Sequence, residues 1–298
     1  MPGVSLRLQS VLYRNDPAAV RRSVESLAHA TRIARAAEIV GPAVLALGDG
    51  APEAPSLTDA DVVGLRDAHG DAFTIEHQVF EANLGHGGGH NRLAVGLDAD
   101  ALLVVNPDTV AEPLLVARLV DRLREAGVGI VEARQLPVEH PKHYEPSGGG
   151  TPWASMACSL LRREVVEQTG LFDADTFFMH CDDVDLSWRA RLAGWHIAHQ
   201  PDARVFHDKR IGVVGYVEPS ASEAVYGPLG HLLLAYKYSR DDEVQALSAL
   251  LRDGTPEQKE ALAMYEQRVA AGHLPQPRLD PEGRVAQFSG GTFAPHRF

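Results

Sequence analysis

Apolar positions in the first 135 residues switch repeatedly between a two-residue period and a helical one. Val4, Leu6 and Leu8 alternate with polar neighbours, as in a half-buried strand. Asp16-Pro17 then supplies a helix cap followed by proline at the first helical position, and Val20, Val24, Leu27 and Thr31 share one helical face. A second apolar run, residues 43–47, stops at Gly48-Asp49-Gly50, a strand ending in a turn that carries one carboxylate. Phe73 and Ile75 predict a third strand, and the glycine-rich stretch 85–89 leads into a helix through Leu97. Residues 101–105 read as a short buried strand broken at Asn106-Pro107-Asp108-Thr109. Pro113 opens another helix with Leu115, Leu119, Val120 and Leu123 apolar, and residues 128–131 form one more strand. The alternation is that of an α/β nucleotide-binding layer.

Beyond it, residues 139–152 are rich in Pro, Gly and His and read as a loop. Residues 154–161 predict a strand, 163–169 a helix, and 182–193 a helix with Leu186, Ala190 and Ala193 inward. The pattern weakens after His207. Helices are expected again at 230–239 and 256–271, before a tail rich in Pro and Gly. The implied organisation is a catalytic domain over residues 1–214, with a donor-binding half (about 1–135) and an acceptor-side half (about 150–214). A helical extension and tail, 215–298, would follow.

Composition narrows the function classes. The chain has 298 residues, 45% apolar and 23% charged, which fits a globular protein. A net charge of -12 opposes attraction to nucleic acid or anionic lipid, but a divalent cation can bridge acidic side chains to a diphosphate. Cys158 and Cys181 are too few for a disulfide framework or a cysteine zinc site, so both are expected as free thiols. The longest apolar runs fall far short of the ~20 residues that cross a bilayer. The first residues, Met-Pro-Gly-Val-Ser, lack a signal-peptide pattern. The expectation is a cytoplasmic protein without a transmembrane segment.

Three stretches carry candidate chemistry. Asp108 follows a buried strand, where α/β sheets bind ligands, although Asn-Pro-Asp also suits an ordinary turn. Asp182, Asp183 and Asp185 crowd the start of a predicted helix: Asp182 can cap it, Asp185 can pair with Arg189 one turn on, and Asp183 is left without a structural partner. Neighbouring carboxylates raise proton affinity, as a general base requires. The stretch from Gly85 to Asn91 lacks the ending of a P-loop and is no Rossmann fingerprint, and His86 and His90 lack a third zinc ligand beside them. His207, after the apolar Val205-Phe206, would by itself be a core histidine.

The order of these signals resembles glycosyltransferase family 2, the inverting class with the GT-A fold, over residues 4 to about 210. Tyr13-Arg14-Asn15-Asp16-Pro17 stands where the family closes its first strand. Asp49 stands where it contacts the nucleoside base, and Asn83-Leu84-Gly85 with Asn91 resembles a further family segment. Asn106-Pro107-Asp108 looks like the Asp-x-Asp metal motif with its first acid replaced, a variant associated with the rhamnosyl- and galactofuranosyl-transferase-like branch. Asp182-Asp183-Val184-Asp185-Leu186-Ser187-Trp188-Arg189 matches the family's acidic motif. The resemblance implies donor contacts from Tyr13, Asp49, Asn83, Gly85, Asn91, Asn106 and Asp108. It also implies a Mn or Mg ion on Asp108 and His207, and Asp183 as the base, with Asp182, Asp185 and Arg189 on the acceptor side or capping the helix. The implied reaction moves a sugar, rhamnose or a relative, from a nucleotide-diphosphate sugar to a hydroxyl acceptor. The rival readings are a nucleotidyltransferase and a silent sugar-nucleotide or glycan-binding module. Subunit association and contact with the inner membrane face are compatible with either outcome.

Overall fold

A computed structural model of the chain describes residues 3–140, 142–146, 148–207, 209, 220–289 and 292–295. Its first half runs β1 (Val4–Leu12), α1 (Pro17–Ala36), β2 (Val40–Asp49), α2 (Asp59–His69), β3 (Thr74–Val79), α3 (Gly85–Leu93), β4 (Ala101–Val105), β5 (Thr109–Ala111), α4 (Leu115–Leu123) and β6 (Val128–Leu136). There follow β7 (Cys158–Arg162), α5 (Arg163–Thr169), α6 (Asp182–Leu192), β8 (His196–His207), α7 (Ala221–Lys237), α8 (Asp241–Arg252) and α9 (Pro256–Ala270). The Asp16 side chain caps α1 by accepting from the Ala18 N–H, and Val20, Val24, Leu27 and Thr31 form its buried face. The periodicity had left α2 unmarked, yet a reciprocal capping box between Thr58 and Asp61 starts it.

All eight strands join one mixed sheet in the order β3-β2-β1-β4-β7-β6-β8-β5. β1 pairs in parallel with β2 and β4, so chain direction away from β1 reverses there and a crevice opens at the carboxyl ends of β1 and β4. Every residue of β4 is buried. Leu103 and Val105 face a core shared with α1 and α4, whereas Leu102 and Val104 face one shared with α5 and α6. Both cysteines are buried free thiols. Among the described residues, no helix is long and apolar enough to cross a membrane.

A third core changes the picture of the C-terminal region. Leu229, Leu232 and Leu233 of α7, Ala261 and Leu262 of α9, and Val285 and Ala286 of the tail cluster with Trp153, Phe177, Val184 and Trp188. Trp188 lies edge-on to Tyr238 and Phe288, with ring centroids 4.9 and 5.4 Å away. The region after residue 220 thus shares its core with α6.

Sequence spacing had put glycines 85–89 ahead of a helix reaching Leu97, but they are the helix, which ends at Leu93. Glycine weakens a helix by roughly 1 kcal/mol relative to alanine, so another force must hold α3. That force is close approach. A Cβ on Gly87 would lie 2.7 Å from the Phe172 Cβ, and one on Gly89 2.8 Å from the methyls of Val11. Gly85 has φ +72 and no room at all, with the Phe178 carbonyl oxygen 2.0 Å from a Cβ built there. Gly85→Ala is expected to cost ~3 kcal/mol or more in stability, from left-handed strain plus displacement of that carbonyl. Gly64, inside α2 with nothing within 4 Å of such a Cβ, provides the contrast. Gly64→Ala should stabilise by about 0.5–1 kcal/mol. Urea midpoints of the two variants check both signs.

Candidate active site

The carboxyl ends of β1, β2 and β4 deliver most of the sequence-predicted donor residues to one rim. Tyr13, exposed just past β1, has the Arg14 guanidinium 5.3 Å from its ring centre, and its N–H donates to the Asn15 side chain at 2.8 Å. Asp49, in contrast, has no solvent-facing surface: its carboxylate accepts the N–H groups of Ala51 at 3.0 Å and Ser56 at 2.5 Å. Its two oxygens thus close the 50–56 loop and are turned to backbone N–H groups. Asn83 accepts the Gly85 N–H at 3.0 Å and so organises the entry to α3. The Asn91 amide donates to the Phe172 carbonyl at 2.8 Å and accepts the Phe172 N–H at 2.9 Å. Both ends of that amide are spent stapling α3 to the 172 loop. Asn106 faces the cavity described below, and its N–H is tied to the Ala157 carbonyl at 2.9 Å.

Strand register explains how distant residues meet at Asp108. The antiparallel pairing of β5 with β8 sets Thr109 opposite His207, and β6 runs parallel on the other side with Gln135 opposite Val205. His207 Nε2 therefore lies 3.5 Å from Asp108 Oδ1, and His207 Nδ1 lies 2.9 Å from Gln135 Oε1. An amide oxygen only accepts, so Nδ1 donates to it, and Nε2 is the ring nitrogen turned toward the carboxylate. Among the described residues, Asp108 Oδ1 is buried without a hydrogen-bond partner. A carboxylate oxygen and a ring nitrogen turned toward each other, with an outer hydrogen bond orienting the imidazole, could hold a divalent cation. Among the described residues, no group of three or more His, Cys, Asp or Glu side chains gathers for a metal. His90 is buried with Nδ1 3.3 Å from Gln9 Oε1, and His86 Nδ1 is taken up by Asp182 at 2.6 Å.

The acidic helix α6 begins differently from its sequence-based reading. Asp182 does not cap it. The cap position is Cys181, with φ 63 and no side-chain hydrogen bond, preceded by His180 with φ 62. Helix α7 meets this left-handed turn through Gly230, where a Cβ would lie 3.0 Å from the His180 carbonyl oxygen. Asp182 is instead buried against His86, Oδ2 to Nδ1 2.6 Å, a contact made possible because α3 comes so close. Burial opposes charge on both partners, but their mutual attraction wins, holding Asp182 below and His86 above its ordinary pKa. Asp185 forms the expected pair with Arg189 at 2.7 Å, and Lys237 adds a second cation at 2.6 Å. It is wholly enclosed and structural.

Among the described residues, the Asp183 carboxylate accepts only the adjacent Val184 N–H, at 2.8 Å. Its pKa is pushed up to about 7, first by burial and then by the Asp182 charge. Neighbouring charge was the expected cause, with Asp185 contributing; burial outranks it, and Asp185 is absorbed by its own cations. Asp183, Asp182, His86, Asn106 and His207 line one cavity of about 720 Å³. The cavity also exposes contributors that periodicity could not reveal. Lys142, from the loop after β6, is buried with its ammonium on Glu132 at 2.9 Å and on the Trp153 carbonyl, and 3.8 Å from the Trp153 ring centre. Phe293 and Ala294 of the tail complete another wall. His86 was visible in the sequence only as half of a doubtful metal pair, since nothing in its spacing announces an aspartate 96 residues away.

Comparison with known proteins places this geometry. Residues 147–225 match the family described as "Glycosyltransferase like family 2". The N-acetylglucosaminyl-diphospho-decaprenol L-rhamnosyltransferases of two Mycobacterium tuberculosis strains are 29% identical over 205 residues, 53% of this chain and 66% of theirs. The chain thus spans slightly under two thirds of those relatives. Among solved structures, the mannosyltransferase PcManGT from Pyrobaculum calidifontis, in complex with GDP-Man and Mn2+, superposes with a TM-score of 0.59 at 15% identity, over 93% of this chain and 82% of its own. GalNAc-T7 with UDP, GalNAc and Mn2+ gives 0.61 at 12% identity, over 90% and 55%. With its mixed sheet, its rim of strand ends and these similarities, the chain has the fold of the GT-A glycosyltransferases and a sequence related to glycosyltransferase family 2.

Proposed function

We propose that this protein is a glycosyltransferase that moves a sugar from a nucleotide-diphosphate sugar to a hydroxyl acceptor, with inversion at the anomeric carbon. The observation that carries the reading is Asp183: a carboxylate on a cavity wall, without a cationic partner of its own, tuned to about pH 7, and sharing that cavity with His207 of the Asp108–His207 pair. Rhamnose is the sugar favoured by the likeness to the mycobacterial enzymes. Action in the cytoplasm, at the inner membrane face if the acceptor is lipid-linked, belongs to the same proposal.

A sugar hydroxyl is a poor nucleophile at neutral pH, so a base must take its proton as the new bond forms. Asp183 accepts that proton on its carboxylate. The acceptor oxygen bonds to the anomeric carbon from one face while the bond to the diphosphate oxygen breaks on the other, and the nucleoside diphosphate departs with that electron pair. Asp182 already has His86, which leaves Asp183 as the proton acceptor. Asp108 and His207 would hold a divalent cation, Mn or Mg, that offsets negative charge on the leaving diphosphate. The Gln135 amide oxygen orients the His207 ring, so that Nε2 would be the nitrogen on the cation. Tyr13 and Asn106, just past the ends of β1 and β4, would contact the donor, and Asn83 and Gly85 would shape its edge.

Activity is expected to vanish on exhaustive chelation and return with Mn. Asp108→Ala should raise the Mn concentration for half-maximal activity at least tenfold, and full turnover in chelator would reject the cation assignment.

Asp183→Asn should keep the fold and donor binding but lower kcat by ~100-fold or more. The pH dependence follows from the sign of the shift. A base with pKa near 7 is protonated below that pH, so wild-type turnover should rise through pH 7. The folded-state pKa exceeds the unfolded one, near 3.8, so ionising Asp183 costs stability that is fully felt above pH 7 and fades as pH falls toward 4. The Asn variant should therefore melt above the wild type at pH 8, with the gap closing by pH 4. Thermal melts across that range, alongside initial rates, test both consequences.

A further inference from the structure

Asp182 and Asp183 are adjacent at the start of α6 and line the same cavity, the first buried and the second half-buried. Two carboxylates this close do not ionise independently. Unless a cation compensates one of them, they share a proton and titrate as a pair. The motif alone leaves open which of the two holds that proton. Successive residues of a helix point in different directions, so a cation from a neighbouring element reaches only one of them.

His86 is that cation, with Nδ1 2.6 Å from Asp182 Oδ2. Its position is fixed by the packing of α3. The His86 N–H donates to the Phe178 carbonyl at 3.0 Å, and its ring lies edge-on to Phe172 and His90, with centroids 5.2 and 4.8 Å away. The glycine backbone of α3 lies against the same carboxylate, a Cβ on Gly87 falling 3.4 Å from Asp182 Oδ2. The other titratable groups around the two carboxylates do not take its place. Burial holds His90, His140 and His180 below their ordinary pKa and keeps the Cys181 thiol protonated. The Lys142 ammonium sits on Glu132 at 2.9 Å, Asp185 has Arg189 and Lys237, and Lys209 feels Glu223 of α7, Glu132 and Asp108 ahead of Asp183.

We infer that His86 is a positioning residue for the transfer reaction: it fixes Asp182 as the carboxylate that stays ionised, and so assigns the acceptor's proton to Asp183. The proton released by the acceptor hydroxyl ends on Asp183, while Asp182 remains an anion paired with His86. For its consequence in catalysis the inference rests on Asp183 being the base, but the order of ionisation does not.

Carboxyl carbon resonances of the full chain, labelled at the aspartate side chains and assigned with Asp182→Asn and Asp183→Asn, read that order without any substrate. In the wild type, Asp182 should stay ionised from about pH 5 to 9 while Asp183 titrates near 7. His86→Gln keeps a hydrogen-bond donor and removes the charge. Asp182 should then titrate as well, and the two signals should move together in two steps. If that variant does not fold, Asp182→Asn decides, because burial lets His86 shed its proton and no charge is stranded. Asp183 should then ionise about half a pH unit lower or more, since the Asp182 charge acts on it more strongly than that of His86, and the rise of turnover with pH should move down with it. A His86 that only packs α3 moves neither titration. An Asp182 that stays ionised in folded His86→Gln, or an Asp183 midpoint indifferent to Asp182→Asn, overturns the proposal. The two readings fail separately. Normal turnover in Asp183→Asn, with both titrations as expected, removes the base and leaves the order of ionisation. Lost turnover in Asp183→Asn, with Asp182 indifferent to His86, leaves the base and removes this role.

Discussion

The close approach of α3 to the segment between Phe172 and Asp182 is the contact on which the site depends. Gly85 and Gly87 bring helical backbone to within a side chain's width of Phe178 and Phe172, and the His86 N–H donates to the Phe178 carbonyl at 3.0 Å. With the backbones that near, the His86 imidazole reaches Asp182 at 2.6 Å. The ion pair absorbs one of two adjacent buried carboxylates. Asp183 is then left to titrate in a partly water-excluded wall, which is what a base working at neutral pH requires.

A second set of contacts holds α6 from behind. Asp185 is fully enclosed, with Arg189 at 2.7 Å, Lys237 at 2.6 Å and the Tyr238 hydroxyl at 3.2 Å from its oxygens. Removing one partner from such an arrangement typically costs 3–5 kcal/mol, about the scale of a large core truncation. Because Lys237 and Tyr238 lie at the end of α7, the C-terminal helices are bound to the acidic helix by charge as well as by the aromatic cluster on Trp188. Gly230 of α7 fits against the left-handed His180–Cys181 turn on the same side. The acidic motif is therefore held between two helices, each of which approaches it through glycine. Conformations of this sort cost free energy and persist where surrounding packing over-determines them.

Sheet order does the corresponding work for the rim of strand ends. Parallel pairing of β1 with both β2 and β4 sets their carboxyl ends on one rim. The antiparallel β5–β8 pairing then returns His207 to Asp108 from nearly 100 residues downstream. Two short-range devices complete the arrangement: Gln135 orients the imidazole, and the turn at Asn106–Thr109 is closed by the Thr109 hydroxyl donating to the Asn106 carbonyl at 2.7 Å.

What the sequence determined by itself was whatever depends on near neighbours: the strand β4 from an unbroken apolar run, the start of α1 from Asp16-Pro17, the span of α5, and the Asp185–Arg189 pair from helical spacing. Those rest on period, capping and i,i+4 geometry, which act over a few residues. The acidic motif and the order of the signals also sufficed for the family resemblance. Tertiary structure decided how each polar side chain is spent. Asp49 and Asn91 look like ligand contacts in the sequence, but backbone groups of the 50–56 loop and of Phe172 consume their hydrogen bonds. Asp182 looks like a cap and is a partner of His86. Lys142 and Trp153 come from a loop without period, and the tail supplies Phe293 from nearly 300 residues along the chain. A side chain's partners, its dielectric surroundings and the cavity it faces are set by packing between elements remote in sequence, and local spacing holds no record of that packing.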